Sequence, residues 1–462
     1  MATSHESHSQ VSLTKFLTVF PKTLNPPKIL ELSNLDRQCP LHMYLIFFYN
    51  PSSLYTNSSL DLVFTKLKIG LEETLSIWSP AAGRLDRNPI DGKLNLRCDN
   101  RGAILVQAIT NVKISELGDL SNYNEFFEKL VHKPVLNGNF SEFPLVVAQV
   151  TRFGCGGYAI GTGISHSLFD GPAAYEFLSA WAANSAIFKE HQYEVELLHR
   201  IITPMHERGR LLTGGSIVAN RCSGSGAMTV AVAIDHLYKL IMQSAMGNEE
   251  VGRKEYVCRT FRVSRGMIER LKKNALGENG GDFACSSFDV IAAHLWKART
   301  KALSVSKEKM VCLQFAVDAR NKLMPPLPKG FSGNAFVLAS VALTAKQLEE
   351  ESYKTIIEMI RNAKSRVNND YINAYQQGLE GPQASLPPLK ELTVVSDWTR
   401  MPFHKIEFLH GVAAYASPLK PPILEVAYFL QSPTDSQSID VQVPLLSHTL
   451  DAFSSYFLTS MQ

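Results

Sequence analysis

From Leu60 onward the apolar residues fall at Leu60, Val63, Phe64, Leu67, Leu71, Leu75 and Trp78, a three-and-four spacing that lays one hydrophobic stripe along a helix. Pro80 and Gly83 stop it. The period then changes. Lys93 to Cys98 and Ala103 to Ala108 are short strand-like runs separated by Asp99, Asn100, Arg101 and Gly102, which predicts a hairpin. A second hairpin is predicted at Leu145 to Arg152 and Tyr158 to Ser165, turned by Gly154, Gly156 and Gly157. The helix behind it opens near Pro172 and presents Ala174, Phe177, Leu178 and Trp181 as its apolar face.

Between about Lys189 and Gly226 the pattern dissolves into charged and Gly/Ser-rich sequence, the expected crossover between an N-terminal domain (1–188) and a C-terminal domain (227–462). Beyond it the alternation resumes with a strand near Arg259 to Val263, a helix around Met267 to Asn274, a Gly-rich GENGGD loop, a helix from about Phe288 to Leu303 and a strand from Val311 to Val317. PPLPKGFSGNAF reads as a loop entering the strand Phe336 to Thr344, followed by one long helix to about Val367. Leu392 to Trp398, Val426 to Gln431 and Ile439 to Val443 read as further strands, and a last helix runs near Leu450 to Leu458. Mixed elements in both halves, without a short repeat, imply an α/β architecture of two domains.

Composition narrows the function classes. The 462 residues carry 46 Lys+Arg against 43 Asp+Glu, a net charge of +3, too small to suggest a nucleic-acid surface. The 7 cysteines are odd in number and scattered without a CxxC pair, which points to a reducing compartment and no structural metal. The N-terminus lacks a basic-then-apolar leader pattern, and the apolar run Met43 to Tyr49 is too short to span a bilayer. A cytoplasmic monomer is expected, with the cytoplasmic face of the endoplasmic reticulum as a second location.

The sharpest local signal is His166-Ser-Leu-Phe-Asp170-Gly171. With 13 His and 28 Gly in the chain, a chance HxxxDG is expected only about 0.04 times. An imidazole titrating near neutrality can take a proton from a nucleophile and hand it on to a leaving group. A lone histidine after a strand is more often a hydrogen-bonded core residue, but Gly161 and Gly163 on the approach would let a substrate come close. Asp170 could orient the imidazole; ahead of Pro172, capping the helix or pairing with an arginine is the better expectation. Ser165 is a poor nucleophile candidate, because the glycine that would close a GxSxG elbow is missing. No GxxxxGK[ST] occurs.

Taken together, LSNLDRQ, SPAAGRL, HSLFDG, CSSFDVIAAHLWKA, the VDAR run and PPLPKGFSGNA, in that order over nearly the whole chain, resemble the plant BAHD acyltransferases. The resemblance implies two chloramphenicol-acetyltransferase-like α/β domains of similar topology with a channel between them, and His166 as general base. It implies acyl-CoA as co-substrate, no permanently bound cofactor or metal, and a hydroxyl- or amine-bearing acceptor such as a hydrophobic steroid, terpenoid or phenolic. Ser396 and Trp398 match positions that stabilise the oxyanion in some relatives, though Trp398 is equally readable as a core aromatic. Asn334 would help shape the CoA channel, or simply make a Gly-Asn turn. The family's DFGWG segment is replaced by Glu407-Phe408-Leu409-His410-Gly411, where Glu407 keeps an acid for which Arg320 is a possible partner. This departure leaves open a second class, a non-catalytic accessory protein of the kind linked to fatty-acid elongation.

Overall fold

The computed structural model describes residues 10–53, 55, 58–134, 140–185, 203–212, 256–276, 285–379, 391–419 and 426–459. The chain forms two compact units. Unit 1 comprises Met1–Leu212, Pro328–Asn334 and Met401–Leu419, and unit 2 the remainder. Two short segments of the second half therefore belong to the first unit. Of the expected crossover 189–226 only 203–212 is described; the rest, like the GENGGD loop, lies outside the described residues.

The first part of unit 1 supplies strands β1 (Val11–Val19) and β2 (Lys28–Glu31), the short helix α1 (Asn34–Arg37), β3 (His42–Tyr49), α2 (Leu60–Ile77), β4 (Arg84–Arg87), β5 (Leu94–Cys98), β6 (Ala103–Thr110), β7 (Val146–Arg152), β8 (Tyr158–Ser165) and α3 (Gly171–Ser185). Unit 2 begins with β9 (Tyr256–Val263), α4 (Arg265–Leu276), α5 (Ser287–Ala302), β10 (Met310–Asp318), β11 (Phe336–Thr344), α6 (Ala345–Glu350), α7 (Tyr353–Arg366), α8 (Asn369–Gly378) and β12 (Leu392–Asp397). β13 (Tyr415–Pro418) then returns to unit 1, and β14 (Val426–Gln431), β15 (Ile439–Leu446) and α9 (Leu450–Thr459) complete unit 2.

Each unit is built on a six-stranded mixed sheet, ordered β1-β6-β7-β8-β3-β13 in unit 1 and β11-β10-β12-β14-β15-β9 in unit 2. The stripe read from Leu60 is the buried face of α2, which packs on α3. Gly70 makes this possible, since a Cβ there would lie 2.3 Å from Ser185 Oγ. The β7–β8 hairpin forms as expected.

Two expectations are corrected. β5 and β6 do not pair with each other: β5 joins β4 and β2 in a separate three-stranded sheet, while β6 lies between β1 and β7. The intervening turn is engaged from outside, with Asn100 Nδ2 donating to Asn25 O at 2.7 Å and Gly102 N–H donating to Ala82 O at 2.9 Å. The same turn residues therefore serve a corner between two sheets. The long helix from Ala345 is also interrupted. Glu351 is extended, and Ser352 caps α7 by accepting the Thr355 N–H at 3.1 Å. Lys297 Nζ donates to the Glu349 and Glu351 carbonyls at the break, satisfying acceptors that helix termination orphans.

Candidate active site

β8 is buried along its full length between β7 and β3. Gly161 and Gly163 make room there for the protein itself, not for a ligand. A Cβ at Gly161 would lie 2.2 Å from Leu130 O, and one at Gly163 would lie 2.5 Å from the Tyr44 ring. After Ser165 the chain turns tightly. The Leu168 and Phe169 amides donate to Ser165 O, both at 3.1 Å, and the His166 amide donates to Leu41 O at 2.7 Å. Leu168 and Phe169 are buried and pin the turn from below, leaving His166 half-buried above it.

Asp170 does what its place before the helix predicts. Its Oδ1 accepts the Ala173 N–H at 3.1 Å, satisfying one of the orphan donors of α3. Asn334 is hydrogen-bonded to the imidazole: its Oδ1 lies 3.1 Å from His166 Nδ1, and its Nδ2 donates to His166 O at 2.6 Å. Asn334 stands on Asp36. Its amide N–H and its Nδ2 donate to Asp36 Oδ1 at 2.9 and 3.3 Å. Asp36 is gripped by the Arg208 fork, Nε to Oδ2 at 2.9 Å and Nη2 to Oδ1 at 3.2 Å, with neither side chain exposed. Ser33 completes the shell, its N–H and Oγ both donating to Asp36 Oδ2.

Burial pushes the His166 pKa below its ordinary value of 6.5, against the opposing pull of its own carbonyl, Asp170, Asn334 and Asp36. The shift favours the neutral ring, the form that can accept a proton. The described residues contain no cluster of metal-ligating side chains and no helix long and apolar enough to cross a membrane.

Among the other expected site residues, Ser396 and Trp398 meet each other within unit 2. The indole Nε1–H donates to Ser396 Oγ at 2.9 Å, and the ring packs on Tyr428. Arg320 pairs with Asp318 at 3.3 Å. In unit 1 the altered motif is packed as a structural segment. Phe408 sits edge-on to Phe47 and Trp181, Leu409 is fully buried, and Glu407 and His410 face outward. Buried Tyr49 holds the segment by donating to Ile406 O at 2.6 Å and accepting the Phe408 N–H at 3.2 Å. Gly411, at φ 88°, occupies a conformation side chains disfavour.

Asp36 and Arg208 are absent from the sequence-derived site. For Asp36 a signal exists, because Ser33-x-x-Asp36 is a capping box, but that pattern speaks of a helix start and not of catalysis. Arg208 sits in a stretch whose composition reads only as linker.

A model described as the Transferase family matches residues 9–459. The chain is 48% identical to brassinosteroid-related acyltransferase 1 of Arabidopsis thaliana, covering 97% of this chain and 98% of that protein. It is 28% identical to omega-hydroxypalmitate O-feruloyl transferase of the same plant, covering 98% and 93%. Vinorine synthase superposes with a TM-score of 0.71 at 19% identity, over 97% of this chain and 98% of that one. TRI101 of F. sporotrichioides, solved with coenzyme A and T-2, gives a TM-score of 0.67 at 13% identity over 94% and 98%. These two share the two-domain acyltransferase fold. With a family match over nearly its whole length and a relative 48% identical across it, the chain belongs to the Transferase family of BAHD acyltransferases and is an acyltransferase.

Proposed function

We propose that this acyltransferase moves an acyl group from acyl-CoA to the hydroxyl of a hydrophobic plant metabolite, and that the acceptor is of steroid type. The single observation that carries the mechanism is the half-buried imidazole of His166 hydrogen-bonded through Nδ1 to Asn334. His166 Nε2 takes the acceptor's hydroxyl proton as its oxygen attacks the thioester carbonyl. The tetrahedral oxyanion then collapses, the C–S bond breaks, and the imidazolium returns its proton to the departing thiolate. One histidine serves both half-steps, without a covalent acyl-enzyme. Ser396 is proposed as an oxyanion donor. Its Oγ already accepts the Trp398 N–H, so the hydroxyl hydrogen is directed elsewhere, while Trp398 orients it. The steroid class is supported by the 48% relative, whose name ties it to brassinosteroids. A cytoplasmic setting is supported by the six described cysteines, all free thiols.

The test is thiol release by purified protein across a panel of acyl-CoAs and alcohols that includes hydroxysteroids, terpenoids and phenolics. Acceptor-dependent release with a hydroxysteroid is expected. Silence with every pair would defeat the catalytic reading, and release only with phenolics would defeat the steroid assignment.

A further inference from the structure

We infer that Asn334, clamped by the buried Arg208–Asp36 pair, is the positioning residue that selects the tautomer of His166. The inference rests on reading His166 as the base, and it assigns the orienting work to residues 36, 208 and 334, with Asp170 Oδ1 engaged at the start of α3.

An amide can be placed either way round, so the orientation of Asn334 must come from its partners. Nδ2 faces His166 O at 2.6 Å and Asp36 Oδ1 at 3.3 Å, and both are acceptors. Reversing the amide would set an oxygen against two oxygens. Oδ1 is therefore the atom at 3.1 Å from the ring, and an oxygen can only accept. Nδ1 must carry the hydrogen, and the lone pair falls to Nε2. Asn334 Nδ2 holds the backbone carbonyl of His166 as well, so both ends of the amide are fixed on the same residue.

The clamp is over-determined. Asp36 accepts six hydrogen bonds from Ser33, Arg208 and Asn334. Arg208 is further tied through Nη1 to Ser332 O at 2.9 Å, two residues before Asn334. Gly333 lets the guanidinium pass, since a Cβ there would lie 2.9 Å from Arg208 Cζ. Relaying the contact through a neutral amide has a chemical consequence. A carboxylate placed directly on Nδ1 would raise the imidazole pKa. Here the carboxylate is one residue removed and balanced by a guanidinium, so burial stays the leading influence on the ring.

The experiment is long-range 1H–15N correlation on protein labelled at histidine nitrogen, with the His166 signals identified by their loss in His166→Gln. The wild type is expected to show the Nδ1–H pattern. Asn334→Ala is expected to show mixed tautomers, and kcat is expected to fall about 30-fold or more while KM changes less than about threefold. Its acid limb in kcat/KM should also move to lower pH, because the lost bond favoured the protonated ring. Arg208→Lys, which keeps a cation but loses the fork, guards against a variant that fails to fold, and a partial shift of the same signals is expected. An Nε2–H pattern in the wild type, or an unchanged Nδ1–H pattern in Asn334→Ala, would overturn the inference. The spectrum needs no substrate. The expected tautomer in a protein that transfers no acyl group would sink the proposed function alone, whereas active enzyme with the other tautomer would sink this inference alone.

Discussion

The two units place a histidine at nearly the same topological post and treat it differently. In unit 1 the β7–β8 hairpin lies antiparallel to β3 and leads into α3, which packs on α2. In unit 2 the β14–β15 hairpin lies antiparallel to β9 and leads into α9, which packs on α5. The strand-to-helix turn begins Ser165-His166 in one and Ser447-His448 in the other. His448 is exposed, and no described residue hydrogen-bonds its ring. His166 is half-buried and held by Asn334. Part of the difference is turn length, since α3 starts at Gly171 and α9 already at Leu450. The larger part is that unit 1 receives the 328–334 segment from the second half of the chain. A shared topology delivers the residue, and a borrowed segment supplies the group that holds its ring.

The largest expected effect tests that contrast directly. His166→Ala should lower kcat by about 10³-fold or more, whereas His448→Ala should leave it within about twofold, both read by thiol release. Comparable losses in the two variants would show that the post and not the network matters. The pH profile carries the same point. Desolvation depresses the His166 pKa, so kcat/KM should be lost as pH falls through a value below 6.5. An acid limb above 6.5 would contradict the depressed pKa.

Next in size is the cost of stranding a buried carboxylate in each unit. Arg208→Met strands Asp36 with no exposed surface on either partner, which should cost about 3–5 kcal/mol and read as a lowered unfolding midpoint in urea. Arg262→Met should cost clearly less, because Arg262 is 46% exposed beside buried Asp440 and water can approach the gap. Equal shifts would mean that burial of the cation does not set the penalty. The smallest effect concerns the α3 cap. Asp170→Ala should cost about 1 kcal/mol, and Asp170→Asn, which keeps an oxygen for the Ala173 N–H, should cost less and leave kcat within about threefold. A fall in kcat as deep as that of His166→Ala would restore the His–Asp dyad.

Much of the fold was legible along the chain. The stripe of α2, the β7–β8 hairpin and the start of α3 follow from period, glycines and Pro172, all of which act over a few residues. The expected β5–β6 hairpin failed because Asn25 and Ala82, neither of them near in sequence, hold its turn. The long helix failed at Glu351 because Lys297 stabilises the interruption from another element. At the site, His166 and the capping role of Asp170 were readable. Asn334 was read as part of the CoA channel or as a turn, and the structure bonds it to His166. The altered EFLHG segment, which left a non-catalytic reading open, is packed through Phe408, Leu409 and Tyr49.

The sequence by itself determined that this chain is a two-part α/β protein with a histidine raised on a strand-to-helix turn, because periodicity, caps and turn residues act locally. Only the tertiary structure decided which group addresses that histidine. The answer depends on residues 36, 208 and 334 meeting in the buried interior, where a buried charge must find its counter-charge and each amide face its proper partner. Those requirements are set by proximity in space, and spacing along the chain does not encode them.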